Sequence, residues 1–165
     1  MKKQRAIALS LLLALMLCAC KAKEKTYTDD LSCAELMDTV EEQIPTDFGY
    51  ESYGGEHLRY YFEDTKRHDD VCLRYTARSE DIGEVGIFHT PDEASRAEIE
   101  RLCKNYLATL REEKTAFIES YAPEEVPKLN SAEVRSFGNY TVYAILSDAD
   151  RALVFDTVEK QLQAD

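Results

Sequence analysis

Two copies of a strand, strand, capped-helix pattern follow residue 70, and this repetition constrains the fold more than any other feature of the sequence. In the first copy, apolar and polar residues alternate over 71–76 and again over 85–89, which is typical of half-buried strands. In Thr90-Pro91-Asp92-Glu93, threonine can cap a helix, proline fits its first position and glutamate closes a capping box. The apolar stripe from Ile99 to Tyr121 then predicts a helix of about thirty residues.

The second copy has the same order of elements. Residues 132–136 and 140–146 have the pattern of a hairpin whose two-residue turn is Gly138-Asn139, and Ser147-Asp148-Ala149-Asp150 caps a last helix. Two such units can pair into one four-stranded antiparallel sheet with a layer of helices on one face. The sequence therefore predicts an α+β fold, arranged as a two-layer sandwich.

A further helix and an ambiguous segment precede the repeat. Ser32 and Glu35 have the spacing of a capping box, and apolar residues at helical spacing continue to Ile44-Pro45, where we expect the helix to end. Residues 46–69 suit either a short helix or a strand, because the apolar run is too short for its periodicity to decide. We favour a short helix that begins near Gly55.

The N-terminus carries the pattern of a bacterial lipoprotein signal. Three basic residues precede an apolar run over residues 6–17, which is too short to cross a bilayer. Leu17-Cys18-Ala19-Cys20 then matches the lipobox, with leucine three positions and a small residue one position before Cys20. The match implies cleavage after Ala19, diacylation of Cys20 and a protein held at the extracytoplasmic face of the cell membrane. The alternative is an ordinary secretory signal that is cleaved elsewhere.

The charge of the chain limits its partners. Cleavage would divide the chain into a signal peptide (1–19), a lipid anchor and polar tether (20–29) and a single domain (30–165). Because the signal peptide holds three basic residues and no acidic one, its removal would change the net charge from −12 to −15. This charge disfavours nucleic acid and anionic lipid headgroups as partners, and it suits a basic protein or peptide.

The sequence has no recognisable catalytic or metal-binding motif. The histidines lack the spacing of helix-borne metal ligands, and His68-Asp69-Asp70 lies between predicted elements, where solvated side chains are expected. There is no Gly-x-Ser-x-Gly and no phosphate-binding glycine loop. Cys33, Cys72 and Cys103 lack CxxC spacing, so we expect buried thiols, with one disulfide as the alternative. We accordingly expect no metal, no cofactor and no catalytic residue.

Tyrosines are dense in one glycine-containing segment. Residues 49–61 hold Tyr50, Tyr53, Tyr60 and Tyr61 together with three glycines. Tyrosines on such a backbone are common in binding surfaces, because each ring offers a large contact area at little cost in side-chain entropy. These four residues form the predicted partner-binding surface. The alternative is that their rings cover the edge of a core that has no tryptophan.

Several segments, taken in order, resemble a known family. They are Glu84-Val85-Gly86-Ile87-Phe88, Tyr121-Ala122-Pro123-Glu124-Glu125, Gly138-Asn139-Tyr140 and Ser147-Asp148-Ala149-Asp150. With the lipobox, they make the chain similar, over roughly residues 30–163, to a bacterial lipoprotein family known as domain of unknown function 4358. The resemblance implies a membrane-anchored extracytoplasmic domain, and it implies no reaction, ligand or catalytic residue.

Two functions from different classes are compatible with these observations. The first is a non-enzymatic, lipid-anchored binding or interaction domain at the outer face of the cytoplasmic membrane. The second is a small cell-envelope hydrolase whose site is assembled from scattered carboxylates. Two inward carboxylates with raised pKa values in a deep cleft would favour the hydrolase, whereas a shallow apolar surface bearing tyrosines would favour binding.

Overall fold

The computed structural model describes residues 25–44, 50–52, 70–78 and 80–164 of the chain. These ranges hold four helices and five strands, and a 3-10 turn over Pro123–Glu125 follows the longest helix. The elements, in order, are α1 (Cys33–Gln43), β1 (Tyr50–Ser52), β2 (Asp70–Thr76), β3 (Glu84–His89), α2 (Glu93–Tyr121), α3 (Val126–Ser131), β4 (Glu133–Phe137), β5 (Tyr140–Ile145) and α4 (Asp148–Leu162).

The strands form one antiparallel sheet in the order β1-β2-β3-β5-β4. The four predicted strands are confirmed, and the hairpins β2-β3 and β4-β5 meet through their second strands, β3 and β5. β1 extends this sheet at its β2 edge and lies in the segment for which the sequence left helix and strand open. The short helix expected near Gly55 lies outside the described residues. The α+β class is confirmed.

Helices cover both faces of the sheet. On one face, α1 and α4 pack against Val85, Ile87 and Val142, and on the other α2 packs against Phe88 and Tyr143. The fold therefore has three layers where the sequence predicted two. The physical reason is that the central strands β3 and β5 are buried along almost their whole length, so both of their faces must be shielded from water.

Two of the predicted helix starts are confirmed and one is shifted. Ser32 and Ser147 cap α1 and α4 as expected, and α1 has the full capping box. In α2, however, the carboxylate of Asp92, and not the Thr90 hydroxyl, accepts the capping bond, from the backbone N of Ser95 at 2.8 Å. The Thr90 hydroxyl donates instead to the carbonyl of Asn139 at 3.0 Å, because the β4-β5 turn lies beside it.

The first described residues lie at the end of the sheet that holds the β4-β5 turn. Tyr27 forms a bridge with Gln163 after the end of α4, and its side chain lies against Gly138. Gly138 has a φ of +57°, and a positive φ at only the first central residue is typical of a type II′ turn. No helix in the described part of the chain is long and apolar enough to cross a membrane.

Candidate functional site

A cleft opens between α2 and the end of the sheet that lies away from the β4-β5 turn. Its volume of about 570 Å³ is within the range of small-molecule sites. The walls come from the end of β2, the loop before β3, the C-terminal half of α2, and single residues of α3 and β5. The lining residues are Tyr75, Thr76, Asp81, Ile82, Gly83, Glu84, Tyr106, Leu110, Glu113, Lys114, Phe117, Ile118, Leu129 and Ile145.

Glu84 lines this cleft, and its carboxyl group is held by two tyrosine hydroxyls. Glu84 is the first residue of β3 and is only 6% exposed. The hydroxyl of Tyr106, on α2, donates to both carboxyl oxygens at 3.0 and 3.1 Å. The hydroxyl of Tyr143, on β5, donates to Oε1. A charged or polar group thus sits in an otherwise apolar layer, held there by two hydroxyls from different elements.

Gly86, two residues after Glu84, makes room for the ring of Tyr143. Tyr143 is the cross-strand partner of Gly86. A Cβ at Gly86 would collide with the Tyr143 ring and would lie 2.7 Å from a methyl carbon of Leu73. The missing side chain therefore lets the Tyr143 ring pack closely over β3, from where its hydroxyl reaches Glu84 two residues away.

Burial sets the protonation of this group. Desolvation raises the pKa of Glu84 to about 7, although the hydrogen bonds from Tyr143 and Tyr106 pull in the opposite direction. Burial also raises the pKa of Tyr143 well above its ordinary value, so that this hydroxyl keeps its proton and remains a donor. The carboxyl group of Glu84 therefore changes charge near neutral pH.

The loop that forms one wall is fixed by a cluster of ion pairs. Nζ of Lys128 lies 3.1 Å from Oδ1 of Asp81 and 2.7 Å from Oε2 of Glu125. The two carboxylates also accept backbone N–H bonds, Asp81 from Gly83 at 2.7 Å and Glu125 from Ile82 at 3.2 Å. These two acids are thus engaged in holding the wall in place, unlike Glu84.

Two aromatic rings stand in the solvent beside the cleft. Phe117 and Tyr121 lie one turn apart at the end of α2, 62% and 75% exposed, with ring centroids 4.7 Å apart. Phe117 also lines the cleft. Large exposed aromatic groups next to a concavity are typical of binding surfaces.

The tyrosines predicted from the sequence to bind a partner are not among the described residues that line this cleft. Tyr50 begins β1 and pairs with Thr76, but its side chain, and Tyr53, Tyr60 and Tyr61, lie outside the described residues. The same holds for the predicted lipidation and cleavage positions, Cys20 and Ala19. These assignments stay predictions.

Asp70, the last residue of the acidic segment after His68, has a structural role. His68 and Asp69 lie outside the described residues, whereas Asp70 begins β2 and its carboxylate accepts a bond from the backbone N of Cys33 at 2.8 Å. His89 has its Nδ1 3.9 Å from the same carboxylate. Among the described residues, no group of three histidine, cysteine, aspartate or glutamate side chains could hold a metal ion.

The three cysteines of the domain are buried, as predicted. Cys33, Cys72 and Cys103 are free thiols, and burial raises the pKa of each. A raised pKa keeps a cysteine in its thiol form, which is a poor nucleophile. The cysteines therefore fit a structural role in the core.

Sequence reasoning missed Glu84, Tyr106 and Tyr143. One signal was available: Glu84 is in phase with Phe88, so a carboxyl group and a large apolar ring share the face of the strand opposite to Val85 and Ile87. A buried carboxyl group needs hydrogen-bond partners. Nothing in the sequence named them, because they lie 22 and 59 residues away.

Comparison with known proteins places the chain in a family. The model of a family described as a domain of unknown function (DUF4358) matches residues 49–146, which include all five strands and every lining residue of the cleft. No curated protein and no solved structure gives a significant match. Since the family model covers more than half of the sequence, the chain belongs to the family of domain of unknown function 4358.

Proposed function

We propose that this protein is a lipid-anchored extracytoplasmic binding domain that holds a small ligand in the cleft above Glu84. The observation that carries the proposal is the cleft itself. It has about 570 Å³ of concave space, largely apolar walls and one buried carboxyl group, that of Glu84, in its lining. A mostly apolar concavity with few polar groups is the usual form of a ligand site.

The arrangement of the acids favours binding over the alternative hydrolase. A carboxylate-based hydrolase needs two carboxyl groups of different protonation facing one substrate. Here Glu84 is buried and has the raised pKa, while the wall acid Asp81 is paired with Lys128 and the third lining acid, Glu113, is exposed on α2. The proposal therefore assigns no catalytic residue.

The lipobox and the position of the first described residues support an anchored orientation. The carbonyl of Leu31 accepts a bond from the Tyr140 hydroxyl at 2.6 Å, and Lys25 pairs with Glu159 of α4 at 2.5 Å. Tyr140 and Glu84 lie at opposite ends of the central strands, about 17 Å apart for five steps along a strand. With Cys20 in the membrane, the cleft would open away from the bilayer and would receive its ligand from the extracytoplasmic side.

One experiment tests the anchor. The full-length protein and its Cys20→Ala variant are expressed in a bacterial host with labelled palmitate. The wild type should be cleaved, labelled and recovered with membranes, whereas the variant should keep its signal peptide and carry no label. Equal labelling of the two proteins would refute anchoring at Cys20.

A second experiment tests the cleft. Leu110→Trp places a large ring in the cleft, and Leu153→Trp is the matched control, since Leu153 is 41% exposed on α4, which packs on the other face of the sheet. The proteins, in nanodiscs, are screened by ligand-detected NMR against small amines, alcohols and acids with apolar bodies. Ligands should bind to the wild type and to Leu153→Trp but not to Leu110→Trp. Binding that survives Leu110→Trp would place the site elsewhere.

A further inference from the structure

The lining of the cleft is largely aliphatic and aromatic, so it can bind the apolar part of a ligand. Leu110, Ile118 and Leu129 contribute aliphatic surface, and Tyr75, Tyr106 and Phe117 contribute rings. The faces of such rings attract cations as well as apolar groups. A ligand that fills this space therefore needs an apolar portion, and a positive charge on it would be favourable next to the rings.

The carboxylate of Glu84 can accept further hydrogen bonds. An ionised carboxylate has about four lone-pair sites, and Glu84 receives one hydroxyl shared between its oxygens and a second on Oε1. Both donors are neutral hydroxyls, and among the described residues no lysine, arginine or histidine forms an ion pair with Glu84. Within the described part of the chain, an ionised Glu84 is thus a buried negative charge without a counter-charge.

The remaining charges of the lining select against anions. Besides Glu84, the acids are Asp81, which is paired with Lys128, and Glu113, and Lys114 is the base. The whole chain carries a formal charge of −12, so the surrounding field also repels an anionic ligand. A neutral ligand would leave the carboxylate uncompensated, whereas a cation would pair with it.

Resting on the proposed function, we infer that the ligand of this cleft is a small organic amine, in which one ammonium group on an apolar body pairs with the carboxylate of Glu84 while the body fills the space between α2 and the sheet. The volume of the cleft suits a molecule of this size better than a folded partner.

Binding of an ammonium group should depend on pH through Glu84. The titratable and charged groups around Glu84 are Tyr75 of β2, Tyr143 of β5, Tyr106 and Cys103 of α2, and Asp81, Glu113 and Lys114 of the lining. Because the pKa of Glu84 is about 7, its ionised fraction rises about tenfold between pH 6 and pH 8. The affinity for an amine should rise by the same factor, and the affinity for a neutral analogue should not.

The test uses three probes that share one apolar body: phenethylamine, 2-phenylethanol and 3-phenylpropanoate. Binding to the full-length protein in phosphatidylcholine nanodiscs is measured by calorimetry, with empty nanodiscs subtracted. Phenethylamine should bind most tightly. Glu84→Gln should weaken it about tenfold, which is about 1.4 kcal/mol, and leave 2-phenylethanol within about twofold. Glu119→Gln, a matched change on the exposed face of α2, should alter neither affinity.

The outcomes separate this inference from the proposed function. If the alcohol or the acid binds as tightly as the amine, and Leu110→Trp abolishes that binding, the cleft is a ligand site and the ammonium assignment is overturned. If Leu110→Trp affects no probe, the cleft ligand itself is refuted. Should Glu84→Gln fail to fold, the wild-type pH profile decides, because an amine affinity that is flat from pH 6 to pH 8 excludes pairing with Glu84.

Discussion

Replacement of Glu84 by glutamine should remove a large part of the pH dependence of stability. Glutamine has the same shape and keeps a carbonyl oxygen that can accept the bonds of Tyr106 and Tyr143, whose hydroxyls can also rotate to accept from its amide. It has no proton to lose, so it stays neutral at every pH. The wild type, in contrast, must carry a buried negative charge once Glu84 ionises.

The magnitude follows from the two pKa values of Glu84. The carboxyl group has an ordinary pKa of 4.5 and a pKa of about 7 in the folded protein, so between these values the folded state binds one proton more than the unfolded state. The free energy of unfolding therefore falls as the pH rises from 4.5 to about 7, and the loss is complete above that. A difference of about 2.5 pKa units corresponds to about 3 kcal/mol. This is a large fraction of the ~5–15 kcal/mol that is typical of a domain.

Urea unfolding of the wild type, Glu84→Gln and the surface control Glu119→Gln at pH 5, 6, 7 and 8 measures this term. The stability of Glu84→Gln relative to the wild type should increase by about 2.5 kcal/mol from pH 5 to pH 8, because the other carboxylates contribute equally to both proteins. Glu119→Gln should follow the wild type. Parallel pH profiles of wild type and Glu84→Gln would refute the burial of an ionisable Glu84.

Two substitutions and one labelling experiment test the anchor and the core. Cys20→Ala should abolish acylation and cleavage, and unchanged gel mobility relative to the wild type would contradict the lipobox assignment. Gly86→Ala should destabilise the protein by about 1–3 kcal/mol, because the new Cβ would collide with the Tyr143 ring, and an unchanged urea midpoint would argue against this close packing. Cys33 and Cys103, whose pKa values are raised by burial, should react with Ellman's reagent only on unfolding. Rapid labelling of the folded protein would show that these thiols are not buried in the core.

Short-range patterns were sufficient for the four strands and two longer helices that lie after residue 70, but they did not predict the short helix α3. Alternation over 71–76 and 85–89 corresponds to β2 and β3, and the apolar stripe that ends at Tyr121 corresponds to α2. Side-chain periodicity and capping depend on residues within a few positions of one another, so they can be predicted from the local sequence. Position 90 shows the limit, since the hydroxyl expected to cap α2 bonds a carbonyl 49 residues away.

The sequence by itself therefore determined the order and type of four strands and of the helices α1, α2 and α4, with the antiparallel pairing of those strands, but not β1 or α3. The lipobox at Cys20 stays a prediction. Only the tertiary structure decided that helices cover both faces of the sheet, because the direction in which a helix returns over a strand depends on what else must be buried there. It also decided the site: Glu84 meets Tyr106 and Tyr143 across 22 and 59 residues. The pKa of Glu84 is raised because packing between distant parts of the chain excludes water from its carboxyl group. A local sequence pattern cannot predict this desolvation.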